Sequence, residues 1–117
     1  MKNNLLESLN KEQLEAVTHT GSPLLIVAGA GTGKTKVITT RIAYLINQKL
    51  ARPEEILALT FTEKAASEME ERVDLLVPYG YISTQISTFH AFGELILSEF
   101  AFNLGINNDF NLLSTEK

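Results

Sequence analysis

"LLIVAGAGTGKTKV", Leu24 to Val37, sets an apolar run directly against a glycine-rich turn that ends in Lys-Thr. From Ala28 to Thr35 it follows the phosphate-loop pattern, a glycine, four free positions and then Gly-Lys-Ser/Thr, with Ala28 standing where the first glycine is usual. Ala28 suits that position provided its φ is negative. Gly29, Gly31 and Gly33 let the backbone turn tightly with its N–H groups aimed inward, and the start of the following helix adds its dipole, so the turn becomes an anion nest. Lys34 then reaches the β and γ phosphates of a nucleotide, and Thr35 sets a hydroxyl where it can ligate Mg²⁺. A glycine-rich turn that binds nothing has a similar composition. The position between an apolar run and a helical pattern favours phosphate binding, because that context is what gives the motif its geometry.

Working outward, short apolar runs alternate with longer amphipathic stretches, the signature of an α/β fold with an open parallel sheet flanked by helices. Leu24–Ala28, Ile56–Phe61 and Ile86–His90 read as strands, each buried on both faces, parallel neighbours in one sheet with their carboxyl ends on one edge. Asn10 is the expected N-cap of a helix through "NKEQLEAVTH". A second helix spans Thr35 to Gln48, with Val37, Ile38, Ile42, Leu45 and Ile46 at helical spacing; a third starts at Thr62; a fourth runs from near Phe89 to Asn103, ending before Gly105. Gly21, Ser22 and Pro23 mark the turn into the first strand, and Arg52, Pro53 and Glu54 the turn into the second.

The chain has 117 residues, 44% of them hydrophobic, which suits one domain with a core of its own. A net charge of -4 argues against a broad basic nucleic-acid surface and leaves only local contacts open. With no cysteine there is no disulfide, thiol nucleophile or cysteine-ligated metal. "MKNNLLESLNKEQ" lacks the apolar stretch of a signal peptide, and no segment is long and apolar enough to span a bilayer, so the default expectation is a cytoplasmic protein without membrane contact.

"LNKEQLEAV" (Leu9 to Val17), the phosphate loop, "LTFTEKAASEMEERV" (Leu59 to Val73) and "ISTFHAFGELIL" (Ile86 to Leu97) extend over essentially the whole chain. In that order they resemble the Q motif and motifs I, Ia and Ib of UvrD/Rep-like superfamily 1 DNA helicases. The resemblance implies a P-loop NTPase of RecA-like fold. Residues 1–105 would be the N-terminal portion of the first ATP-binding lobe, and 106–117 the start of a connection to an inserted accessory subdomain. It further implies a parent protein that couples ATP hydrolysis to translocation on single-stranded DNA and duplex unwinding, with 3'-to-5' polarity. The implied cofactors are ATP and Mg²⁺; the implied partners are single-stranded DNA and duplex junctions, with the remaining helicase domains in cis.

The nucleotide set carried over is Gln13, Ala28, Gly29, Ala30, Gly31, Thr32, Gly33, Lys34, Thr35 and Lys36, with Lys34 and Thr35 serving catalysis and Thr35 the metal. Gln13 offers an amide that can pair with both the donor and the acceptor on the adenine edge, and the resemblance assigns it that role. Asn10 and Gln13 also have capping-box spacing, in which the glutamine only caps its own helix. Lys36 stands where these helicases usually carry arginine, and a point charge does not replace a planar fork.

Thr60, Phe61 and Thr62, with Lys64, lie where the second strand meets its helix, and Thr88, Phe89 and His90 at the matching end of the third. An aromatic ring there can stack on a base while hydroxyls and helix-start N–H groups hold phosphate, a sequence-independent track for single-stranded DNA. By resemblance these residues touch DNA. The alternatives are a core Phe61, an ordinary N-cap at Thr62 and a structural His90. The family often has asparagine where this chain has Glu63, and Glu68, Glu70, Glu71 and Asp74 follow, so phosphate contacts are confined to the first turn of that helix.

Hydrolysis by such machinery needs an acidic pair at a strand end and arginines for the transition-state charge. No hydrophobic strand here ends in Asp-Glu. The chain is therefore expected to carry the nucleotide cradle without turnover by itself. A nuclease-helicase subunit, or a nucleotide-binding module without turnover, are the alternatives. A small P-loop kinase would need a phosphate-gripping arginine cluster, whereas Arg41, Arg52 and Arg72 are scattered.

Overall fold

A computed structural model of the chain describes residues 2–31, 33–77 and 84–105, so Thr32 and the expected connection at 106–117 lie outside the described residues. In order the elements are α1 (Lys2–Glu7), α2 (Lys11–Thr18), α3 (Lys34–Asn47), a 3-10 turn (Pro53–Glu55), β1 (Leu57–Thr60), α4 (Glu63–Leu76), β2 (Gln85–Thr88) and α5 (Phe89–Leu104). The fold is helix-rich, with a small parallel sheet, as an α/β partial domain should be.

α2, α4 and α5 start where a side chain satisfies one of the first N–H groups, which have no partner inside the helix, whereas α3 starts at Gly33 without a side-chain cap. The Asn10 side chain accepts from the Gln13 N–H at 2.8 Å, and Gln13 Oε1 accepts in return from the Asn10 N–H at 3.0 Å, a complete capping box. Thr62 and Thr88 cap α4 and α5 by accepting from the N–H groups of Ala65 and Ala91, each at 3.0 Å. Gly105 ends α5 in the left-handed region, at φ 76°. The 3-10 turn before β1 is closed by Arg52 and Glu55: the Arg52 N–H donates to Glu55 Oε1 at 2.8 Å and its guanidinium to Oε2 at 3.1 Å. The Arg52 backbone N–H, and then its guanidinium, hold the Glu55 carboxyl below the usual carboxylate range.

β1 and β2 pair in parallel with Leu57 opposite Gln85 and Thr60 opposite Thr88. This matches two of the three expected strands. Parallel pairing across α4 sends both chains out of the sheet at one edge, so Phe61–Thr62 and Thr88–Phe89 emerge side by side.

The third expected strand does not form. Leu24–Ala28 carries no regular secondary structure, among the described residues the sheet contains only β1 and β2, and Leu25 and Val27 are 85% and 88% exposed. An apolar run becomes a buried parallel strand only when a neighbour takes up its backbone hydrogen bonds. β1 and β2 pair with each other, and no described strand lies against residues 24–28.

The core is correspondingly split. One cluster joins Ile42 and Ala43 of α3 to Met69 and Val73 of α4 and to Val77, with Ile56, Ala58 and Ile86 against it. In α4 the buried Ala66, Met69 and Val73 recur at helical spacing, while Glu68, Glu70, Glu71 and Asp74 face solvent. The second cluster packs Ala16 and Val17 of α2 on Val37 of α3. Burying a side chain such as Val17 or Val73 stabilises by about 1.5–3 kcal/mol, so α2 is held mainly by this contact and by polar ties. Along α5 only Ala101 is buried, and Phe100, Phe102 and Leu104 are exposed. Among the described residues no helix is long and apolar enough to cross a membrane.

Candidate functional site

The phosphate loop lies between the 24–28 segment and α3, and its conformation is set by two glycines. Gly31 and Gly33 have φ of 78° and 84°, in the left-handed region that side-chain-bearing residues avoid, and Gly33 is the N-cap of α3. A Cβ at Gly33 would also stand 3.0 Å from Gln13 Nε2, so the Gln13 amide would have to shift slightly. Gly29 differs from expectation: its φ is not positive and a Cβ there would meet nothing within 4 Å, so neither the turn nor local space requires a glycine. Ala28 likewise lies outside the positive-φ region, which is why alanine is accommodated there.

Lys34 and Thr35 form the first turn of α3 and are solvent-exposed. Asn10, Gln13, Ala28, Gly29, Lys34 and Val37 line one cleft of about 370 Å³. The structure thus brings the amide of α2 and the lysine of the loop to one cavity. Gln13 realises its capping role, yet its Nε2 also faces the loop at Gly33. The two roles are compatible, since a carbonyl oxygen carries two lone pairs. Lys36 Nζ donates to the Ser8 carbonyl at 3.0 Å and ties α3 to the α1–α2 connection. Among the described residues no group of three or more His, Cys, Asp or Glu could hold a metal.

At the sheet edge, Phe61 is 87% and Phe89 48% exposed, and their rings lie 5.2 Å apart at 36°. Phe61 is therefore not a core residue. Two apolar rings held against each other in water offer flat faces at the carboxyl end of a parallel sheet. Lys64 and His90 are exposed beside them in the first turns of α4 and α5. His90 belongs to the helix and not to the strand end, because Thr88 already caps α5.

The threonines are engaged inside the protein. Thr60 Oγ1 donates to the Thr62 carbonyl at 3.0 Å, and Thr62 is the N-cap described above. Thr88 is only 4% exposed; its hydroxyl accepts from Ala91 and points its proton at Glu63 Oε2, 3.5 Å away. Its side chain therefore braces the corner between β2 and α5 from within. Glu63 sets a carboxylate between the starts of α4 and α5, a position that composition alone did not reveal.

The family model described as UvrD/REP helicase N-terminal domain matches residues 9–117. The chain is 54% identical over 112 residues to a probable DNA helicase II homolog of Rickettsia conorii, covering 93% of this chain and 17% of that protein. To the DNA helicase II of Rickettsia typhi it is 53% identical over 114 residues, 95% of this chain and 17% of the other. It is also 50% identical over 115 residues to the ATP-dependent DNA helicase PcrA of Bacillus subtilis, covering 98% of this chain and 16% of that protein. The chain thus spans about one sixth of the length of these relatives.

Proposed function

The chain belongs to the UvrD/REP helicase family, and on that footing we propose that it is the ATP-binding portion of an ATP-dependent DNA helicase, the first part of a RecA-like lobe. Residues 1–105 are that portion, and 106–117 begin the connection to an inserted subdomain. In the whole protein, which acts in the cytoplasm, ATP hydrolysis drives 3'-to-5' translocation on single-stranded DNA and opens duplex junctions. The observation that carries this reading is the cleft shared by Gln13 and Lys34 beside a loop bent at Gly31 and Gly33.

In this reading the N–H groups of Gly29, Ala30, Gly31 and Gly33, with Lys34, bind the phosphates, and Gln13 reads the adenine edge. A Mg²⁺ ion bound with ATP would neutralise phosphate charge, with Thr35 as its protein ligand. Phe61 and Phe89 stack on bases, while Lys64, His90 and the helix-start N–H groups face the DNA backbone. Calorimetry of the 117-residue chain with ATP and Mg²⁺ tests the cradle. The expected result is weak binding that Lys34→Ala removes, with no phosphate release; equal binding by the mutant defeats the assignment.

Glu63 gives the DNA edge a property of its own. Its carboxylate sits at the start of α4 and close to that of α5, where DNA phosphate would otherwise have the favourable dipole to itself. Glu63→Gln in the whole protein is expected to tighten single-stranded DNA binding roughly two- to fivefold at low salt, and less at high salt. Fluorescence anisotropy across a salt series measures it.

A further inference from the structure

α2 is short, and short helices do not hold themselves in water. It spans eight residues, Lys11–Thr18, and it ends at His19 in extended backbone, with no glycine cap and no basic residue in its last turn. The final carbonyls of a helix need outside donors. Here one group supplies them. Arg41 Nη1, from the middle of α3, donates to the carbonyls of Ala16 at 2.9 Å, Val17 at 3.1 Å and His19 at 2.8 Å. A cation at this end also complements the helix dipole.

The other end of α2 is tied to the same helix. Lys36 Nζ holds the Ser8 carbonyl at 3.0 Å, just before the Asn10 cap. Between the two ties Ala16 and Val17 pack on Val37. Gln13 lies within this strapped segment, its Nε2 against Gly33 of the phosphate loop. The placement of the Gln13 amide relative to the loop therefore depends on α3, through Arg41 at one end and Lys36 at the other.

We infer that Arg41 is a positioning residue for base recognition: by holding the α2 carbonyls it keeps the Gln13 amide at the edge of the nucleotide cleft, so that preference for adenine over other bases depends on it. This rests on the reading of Gln13 as the adenine reader. All three contacts come from one nitrogen, whose two hydrogens the three carbonyls share, so the planar fork of arginine is not used as such. A lysine ammonium, with three donors, can replace it.

The test is steady-state hydrolysis by the whole protein with single-stranded DNA present, comparing kcat/KM for ATP with that for GTP. Arg41→Met is expected to lower the ATP-over-GTP ratio about tenfold, the order of one amide–base pair, chiefly through KM for ATP, with kcat changed less than about threefold. Arg41→Lys should keep the ratio within about twofold of wild type, and Arg41→Gln should fall between. Gln13→Ala should lose the ratio, and adding Arg41→Met to it should lower the ratio no further. If Arg41→Met proves unfolded by thermal melting, Arg41→Gln decides the matter. An unchanged ratio in the Arg41 variants, beside a lost ratio in Gln13→Ala, overturns the inference. An unchanged ratio in Gln13→Ala overturns the adenine reading itself.

Discussion

Lys34→Ala in the whole protein is expected to reduce ATP hydrolysis at least about a hundredfold, with the loss in kcat as well as kcat/KM. Lys34 opens α3 with its ammonium exposed at the cleft, while the backbone beside it is fixed by left-handed Gly31 and Gly33. Removing the ammonium leaves the N–H cradle but takes away a charge that grows in value as the leaving phosphates become more negative. Because Lys34 reaches solvent and belongs to neither core cluster, the variant should melt within a few degrees of wild type. Phosphate release and thermal melting together separate lost chemistry from lost structure. Near-normal turnover would remove the loop from the mechanism.

Phe61→Ala has the second large expected effect, on DNA and not on nucleotide. The ring is 87% exposed and touches Phe89 at 5.2 Å, so its removal costs the fold little. Base–aromatic stacking is worth about 1–3 kcal/mol per base, so single-stranded DNA should bind roughly 5- to 150-fold more weakly. Phe89→Ala should act in the same direction. It should have some additional effect on stability, since Phe89 is half-buried at the first position of α5. Hydrolysis without DNA should be unaffected by Phe61→Ala. Unchanged DNA affinity in both variants would mean that the exposed pair serves some other contact.

The difference between these two sites tracks the range over which their geometry is determined. The Asn10–Gln13 capping box, the Thr62 cap and the Gly105 stop are closed by residues within four positions and are readable from spacing, whereas the Thr88 cap is hidden inside a stretch that reads as strand. The spacing marks a glycine turn ahead of α3, where Gly31 and Gly33 take positive φ and Gly29 does not. Leu24–Ala28 departs from the strand its composition predicts because apolarity announces burial but not the neighbour that provides it. The Lys36 tie to Ser8 and the Arg41 cap of α2 span 28 and up to 25 residues, and nothing in the local pattern of α3 marks them. Phe61 lay at a strand end, where alternation no longer says which face a side chain takes. Its exposure emerges only once Thr62 has capped α4 and turned the chain.

In the proposed reading the nucleotide and DNA sites are coupled in the whole protein, and phosphate release followed as single-stranded DNA is titrated in tests this most directly. Hydrolysis should rise severalfold and saturate. Phe61→Ala should shift the half-saturating DNA concentration upward without altering the DNA-free rate, and Lys34→Ala should abolish hydrolysis at every DNA concentration. A wild-type rate indifferent to DNA would contradict the account.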